Sequence, residues 1–105
     1  GANGAGPRPD LKRSREDERR EAAQRRAELA PLRKILTKQE KNIEALQKKI
    51  AAIDSALADP SLYGTQAAKA HSLTLERGSL IKELKTAEDA WLETSLAYEE
   101  AAAAV

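Results

Sequence analysis

The sequence predicts an all-α protein, an antiparallel two-helix coiled-coil hairpin with a charged, partly helical N-terminal segment. Three observations lead there. From Leu29 to Leu57 the apolar residues recur every seven positions, with Leu29, Leu36, Ile43, Ile50 and Leu57 at a and Leu32, Gln39, Leu46 and Ile53 at d. That spacing marks the buried seam of a left-handed coiled coil. A second stripe follows at the same spacing: Ala70, Leu73, Arg77, Leu80, Leu84, Ala87, Trp91, Thr94, Tyr98 and Ala101. Between the two lies Asp59-Pro60-Ser61-Leu62-Tyr63-Gly64, where a helix cannot continue. A connection that short folds the second helix back along the first.

Composition narrows the function. The chain of 105 residues is 41% apolar and 33% charged, with no Phe, Met or Cys and three aromatics, Tyr63, Trp91 and Tyr98. Leu, Ile and Ala suit long helices but give too little bulk to wall a substrate pocket, so no catalytic residue is expected. Without Cys there is no disulfide or thiolate metal site, which fits a cytoplasmic protein. No apolar run is long enough to span a membrane, and no charged-then-apolar leader opens the sequence. The net charge of +1 conceals an asymmetry: residues 1–58 carry +5 and residues 59–105 carry −4. One limb is basic and the other acidic.

In chain order, residues 1–10 read as a flexible linker rich in Gly and Pro. They are not a phosphate loop, since no strand precedes them and no Gly-Lys-Ser/Thr follows. Residues 11–30 hold seven basic and five acidic residues, with Glu16–Arg20 and Glu21–Arg25 at helix-stabilising spacing. They predict a charged helical segment, frayed at its start. Pro31 predicts a break or kink with helix on both sides. The hairpin then occupies residues 31–101, as a helix over about 31–58, a tip at 59–65 and a helix over about 66–101. At the tip, Asp59 is expected to cap a short turn led by Pro60, Gly64 to give a left-handed exit, and Thr65 to cap the second helix. Tyr63 is expected to plug the tip against Leu57 and Leu62. Facing residue numbers should sum to about 127. That sets Leu46 opposite Leu80, Ile43 opposite Leu84, Leu36 opposite Trp91 and Leu29 opposite Tyr98, with Lys49 flanking Glu76. Off the seam, Leu75, Ile81, Leu92 and Leu96 offer a docking or self-association face. Gly78 has no evident purpose in mid-helix.

The candidate functional residues are basic. Lys34, Lys41 and Lys48 fall at f, straight away from the seam, and extending the frame back adds Arg13 and Arg20. Lys38 sits beside this line at c, while Arg33 and Lys49 flank the seam. Arg15, Arg19, Arg25 and Arg26 complete an Arg-rich approach, diluted by Glu16, Asp17, Glu18 and Glu21. Successive f positions lie roughly 10 Å apart, so such a ridge can follow a phosphate backbone. The competing reading is ordinary solvated surface on a charged helix. With no aromatic among the basics, binding would be salt-dependent and blind to sequence. His71 stands alone and predicts no metal site. Arg77 in the seam reads as a register-fixing residue.

The tip phrase Leu57-Ala58-Asp59-Pro60 with Tyr63, the earlier Pro31, and the ending Glu83-Leu84-Lys85-Thr86-Ala87-Glu88-Asp89-Ala90-Trp91-Leu92-Glu93 carry a resemblance. Over about residues 10–100 the chain resembles the C-terminal coiled-coil extension of Uup-like ABC-F ATPases. The resemblance implies a DNA- or ribosomal-RNA-contacting arm that works beside its parent ATPase domains. ATP and Mg are implied for that parent and no cofactor for these residues, which contain no phosphate loop or signature sequence. A monomer in isolation is expected. The tRNA-binding arm of valyl-tRNA synthetases is similar as well, with an Asn/Asp-Pro tip but without the late Trp or the Arg-rich approach.

Overall fold

The computed structural model describes the backbone from Pro7 to Ala104 and the side chains from Ser14 to Ala104. The remainder of the expected linker, residues 1–6, lies outside the described residues. Helix α1 (Pro7–Leu57), the short α2 (Ser61–Thr65) and α3 (Ala67–Ala103) follow one another, with no strand among the described residues. Helices α1 and α3 lie antiparallel in a rod of 97 × 15 × 15 Å.

The seam is where the heptads put it. Each a and d residue from Leu29 to Leu57, and each member of the second stripe, is buried or half-buried. The core is thin, as a two-helix interface must be. Leu46, Ile53 and Leu80 form its buried centre, with Ile50, Leu57, Leu73, Leu84 and Ala87 packed around them.

The register differs from the expected one. Arg33 Nη2 donates to the Tyr98 hydroxyl at 3.0 Å, Trp91 Nε1 to Glu40 Oε1 at 3.4 Å and Gln39 Nε2 to Thr94 Oγ1 at 3.0 Å. Arg77 Nε meets Asp54 Oδ1. These pairs sum to 131, or 133 for Gln39 with Thr94, about one helical turn beyond the expected 127. The expected pairing placed like heptad positions face to face. Side chains lean toward the N-terminus of their own helix. In an antiparallel pair the two sets therefore lean in opposite directions, and a residues of one helix nest against d residues of the other. The expected pair Lys49–Glu76 is accordingly replaced by Asp54–Arg77 as the cross-helix ion pair.

Helix α1 also departs from expectation at two places. It begins at Pro7, inside the expected linker, and it runs through Pro31 without a break. Pro31 removes one backbone donor, which leaves the Ala27 carbonyl unpaired in the ladder. Both residues are exposed on the outer face, so water takes the carbonyl. The slender rod leaves no room for a sharp kink. Charged segment and hairpin helix are thus a single helix of 51 residues against the 37 of α3. By the observed register, α1 extends about 30 Å past the end of α3.

At the tip, Asp59 Oδ1 accepts the Ser61 amide at 3.0 Å and the Ser61 hydroxyl at 2.9 Å, and Pro60 (φ −59°) leads into α2. Three expectations fail here. Gly64 has no positive φ but continues α2 as an ordinary helical residue. Gln66, not Thr65, occupies the cap of α3, with no side-chain capping bond; its amide instead donates to the Leu62 carbonyl at 3.1 Å. The plug is Leu62, 7% exposed, whereas Tyr63 is 57% exposed. One extra helical turn turns Leu62 inward and its neighbour out.

Candidate nucleic-acid interface

The outward face of α1 holds the predicted basic residues because the apolar seam fixes its rotation. Lys34, Lys38, Lys41, Lys48 and Lys49 are all exposed, as are Arg15, Arg19, Arg20 and Arg26. The side chain of Arg13 lies outside the described residues. Between Arg33 and Lys41 four cations share one face of the helix. Ala30 and Thr37 are small, and Arg33, Lys34, Lys38 and Lys41 stand around them, bounding a shallow depression of about 490 Å³. Among the described residues, no carboxylate comes within ion-pair distance of Lys34, Lys38 or Lys41.

Other candidates are partly engaged. Lys48 Nζ lies 3.1 Å from Glu44 Oε1, and half-buried Arg25 lies 3.7 Å from Glu21 Oε2. Arg33 holds Tyr98, both through the hydroxyl and with its guanidinium carbon 5.9 Å from the ring centroid. The Arg-rich approach falls on the part of α1 beyond α3, so it adds length to the ridge and is not folded onto the depression.

The heptad frame also contains a row that reading f positions alone passes over. Arg19, Arg26 and Arg33 share position e, beside f. Together the two rows form a broad basic strip from Arg19 to Lys41. The signal was arginine recurring every seven residues, at 19, 26 and 33.

Arg77 has no place in that strip. Its guanidinium pairs with Asp54 across the seam, and that hydrogen bond, helped by the carboxylate's charge, raises its already high pKa. It lies in the seam, where the second stripe put it, and pairs across to the other helix. His71 is exposed, and no group of three or more metal-ligating side chains occurs among the described residues. Nor is any described helix long and apolar enough to cross a membrane.

A family model described as the ABC transporter C-terminal domain matches residues 31–95, well over half of the chain. The chain belongs to this family. The match takes in Pro31, the Asp59-Pro60 tip and Trp91, the features on which the resemblance to the C-terminal extension of ABC-F ATPases rested, and it stops short of the Arg-rich approach. No curated protein and no solved structure matches the chain. Membership makes this an ABC C-terminal domain, distinct from the ATP-hydrolysing cassette and associated with a parent ABC ATPase.

Proposed function

We propose that this C-terminal domain is the nucleic-acid-contacting arm of a cytoplasmic ABC-F ATPase. It holds the phosphodiester backbone of DNA or ribosomal RNA along the outer face of α1, without reading sequence. The observation that carries this reading is the grouping of Arg33, Lys34, Lys38 and Lys41 around two small residues on one helix face, with no carboxylate paired to the lysines among the described residues. A merely solvated helix surface tends to intersperse its charges, as this chain does at Glu44–Lys48. Arg15, Arg19, Arg20 and Arg26 extend the track, Arg25, Lys48 and Lys49 border it, and Arg13 belongs to the same candidate set by sequence. ATP and Mg serve the parent's cassettes.

Titration of a labelled 20-base-pair duplex at two salt concentrations tests this. Affinity should fall steeply with salt, because each phosphate neutralised releases counterions. The triple variant Lys34→Glu/Lys41→Glu/Lys48→Glu should lose binding, and Lys38→Glu should weaken it. Competition between DNA, structured ribosomal RNA and tRNA identifies the preferred polymer. Binding unchanged in the triple variant removes the strip from the account.

A second reading has its own support. Leu75, Leu92 and Leu96 are 62, 52 and 53% exposed on the outside of α3, and Ile81 is 40% exposed. On that reading the domain is a structural arm docked on its parent's ATPase domains or on a second copy, and it binds no nucleic acid at any salt.

A further inference from the structure

Two demands meet on one guanidinium. Arg33 lines the basic depression with Lys34, Lys38 and Lys41. It also closes the open end of the hairpin, donating to the Tyr98 hydroxyl at 3.0 Å and covering the Tyr98 ring. The seam around that clamp mixes apolar and polar contacts: Leu29 is 7% exposed, and Leu32, Leu36, Trp91 and Tyr98 are half-buried beside it. Gln39 and Thr94 stand where leucines would pack, Gln39 Oε1 is buried without a partner, and Trp91 reaches Glu40 only at 3.4 Å. The tip half is centred on Leu46, Ile53 and Leu80, each 7% exposed. The final turns of α3 are held by packing on Leu29 and Leu32 and by a few polar stitches, of which Arg33–Tyr98 is one.

A phosphate seated among the three lysines competes for Arg33. A charge-assisted fork to phosphate is stronger than a bond to a neutral hydroxyl combined with an exposed cation–π contact. We infer that polyphosphate binding on the outer face of α1 and closure of the hairpin's open end are coupled through Arg33: the phosphate draws Arg33 from Tyr98, and the end of α3 loosens. This rests on the proposed nucleic-acid function and adds its regulation. Linkage makes the effect reciprocal, so a hairpin that has already released Arg33 binds the polyanion more tightly.

The test uses the full 105-residue chain and a 20-base-pair DNA duplex at low salt. With duplex bound, backbone amides of residues 94–103 should exchange hydrogen roughly threefold to fivefold faster, and those of residues 73–84 should not. Tyr98→Leu should bind the duplex tighter by roughly the same factor, and Tyr98→Phe, which keeps the ring, by less. Arg33→Lys keeps the charge but not the fork, so duplex should leave its 94–103 exchange unchanged. Bound duplex with unaltered or slower exchange at 94–103, or Tyr98→Leu binding no tighter than the parent chain, overturns the coupling while leaving binding intact. Absence of any duplex binding overturns the coupling together with the function on which it rests.

Discussion

Replacing Gln39 with leucine should stabilise the hairpin, whereas replacing its partner Thr94 with valine should destabilise it. Gln39 occupies a half-buried d position, where Nε2 donates to Thr94 Oγ1 at 3.0 Å and Oε1 is buried without a partner. Thr94 in turn donates its hydroxyl to the Ala90 carbonyl at 3.0 Å. Exchanging the amide's nitrogen and oxygen would leave the NH₂ unpaired instead, so one Gln39 group is stranded in either orientation. A stranded polar group costs about 1–3 kcal/mol. Leucine removes that cost and extends the apolar seam, while Thr94 keeps its bond to Ala90. Valine at 94 does the reverse, stranding both ends of the Gln39 amide. We expect Gln39→Leu to gain about 1–2 kcal/mol and Thr94→Val to lose a similar amount. In a domain of this size each kcal/mol shifts the melting midpoint by about 4–8 °C, which thermal melts followed by circular dichroism at the helical band resolve easily. Gln39→Leu melting at or below the parent's midpoint would refute the assignment of Gln39 as an unsatisfied seam residue. So would Thr94→Val melting above it.

Three further outcomes are expected. Gly78→Ala should raise stability by about 1 kcal/mol in denaturant unfolding, because Gly78 is helical and exposed and a Cβ there meets nothing within 4 Å. Leu46→Ala or Leu80→Ala should cost about 2–5 kcal/mol, against less than about 0.5 kcal/mol for the exposed Leu75→Ala; equal costs would show that the seam does not hold the limbs together. Asp54→Lys and Arg77→Glu should each lower the melting midpoint, and the double exchange should recover most of the loss, since the pair crosses the seam. A double variant no better than the singles would contradict the observed register.

The faces of both helices were legible in the sequence, whereas their axial alignment was not. Heptad spacing depends on local geometry, so Leu29 through Leu57 and Ala70 through Ala101 declared their inward side without reference to any partner. Register depends on how two sets of inclined side chains interlock, and Leu46 can meet either Leu80 or Leu84 without any change in composition. Asp54 and Arg77 held the missing information, as an opposite-charge pair at the rim of the observed register. Pro31 misled because a proline's effect depends on which face it occupies. On the outer face its cost is one carbonyl returned to water. Gly64 misled for a related reason: glycine permits a left-handed turn but does not require one, and α2 had already reversed the chain. The basic strip was largely readable from f positions. Arg33's attachment to Tyr98 was not, because that contact belongs to the register.

The distribution of charge acquires a consequence once the limbs are known to be joined by an apolar seam. Arg77–Asp54 is the one cross-helix ion pair among the described residues, so the opposite charges of the two limbs are not consumed in holding them together. They remain on opposite sides of a rod 15 Å wide. At physiological ionic strength the screening length is about 8 Å, shorter than that width. A polyanion approaching the outer face of α1 therefore meets lysine and arginine with little opposition from Asp89, Glu93, Glu99 and Glu100 on α3, and one approaching α3 is repelled. The near-zero net charge that argues against a nucleic-acid-binding protein when the chain is summed does not describe either face. On the proposed reading, the acidic limb restricts the polymer to one side of the arm and leaves the exposed Leu92 and Leu96 on the other side available to protein.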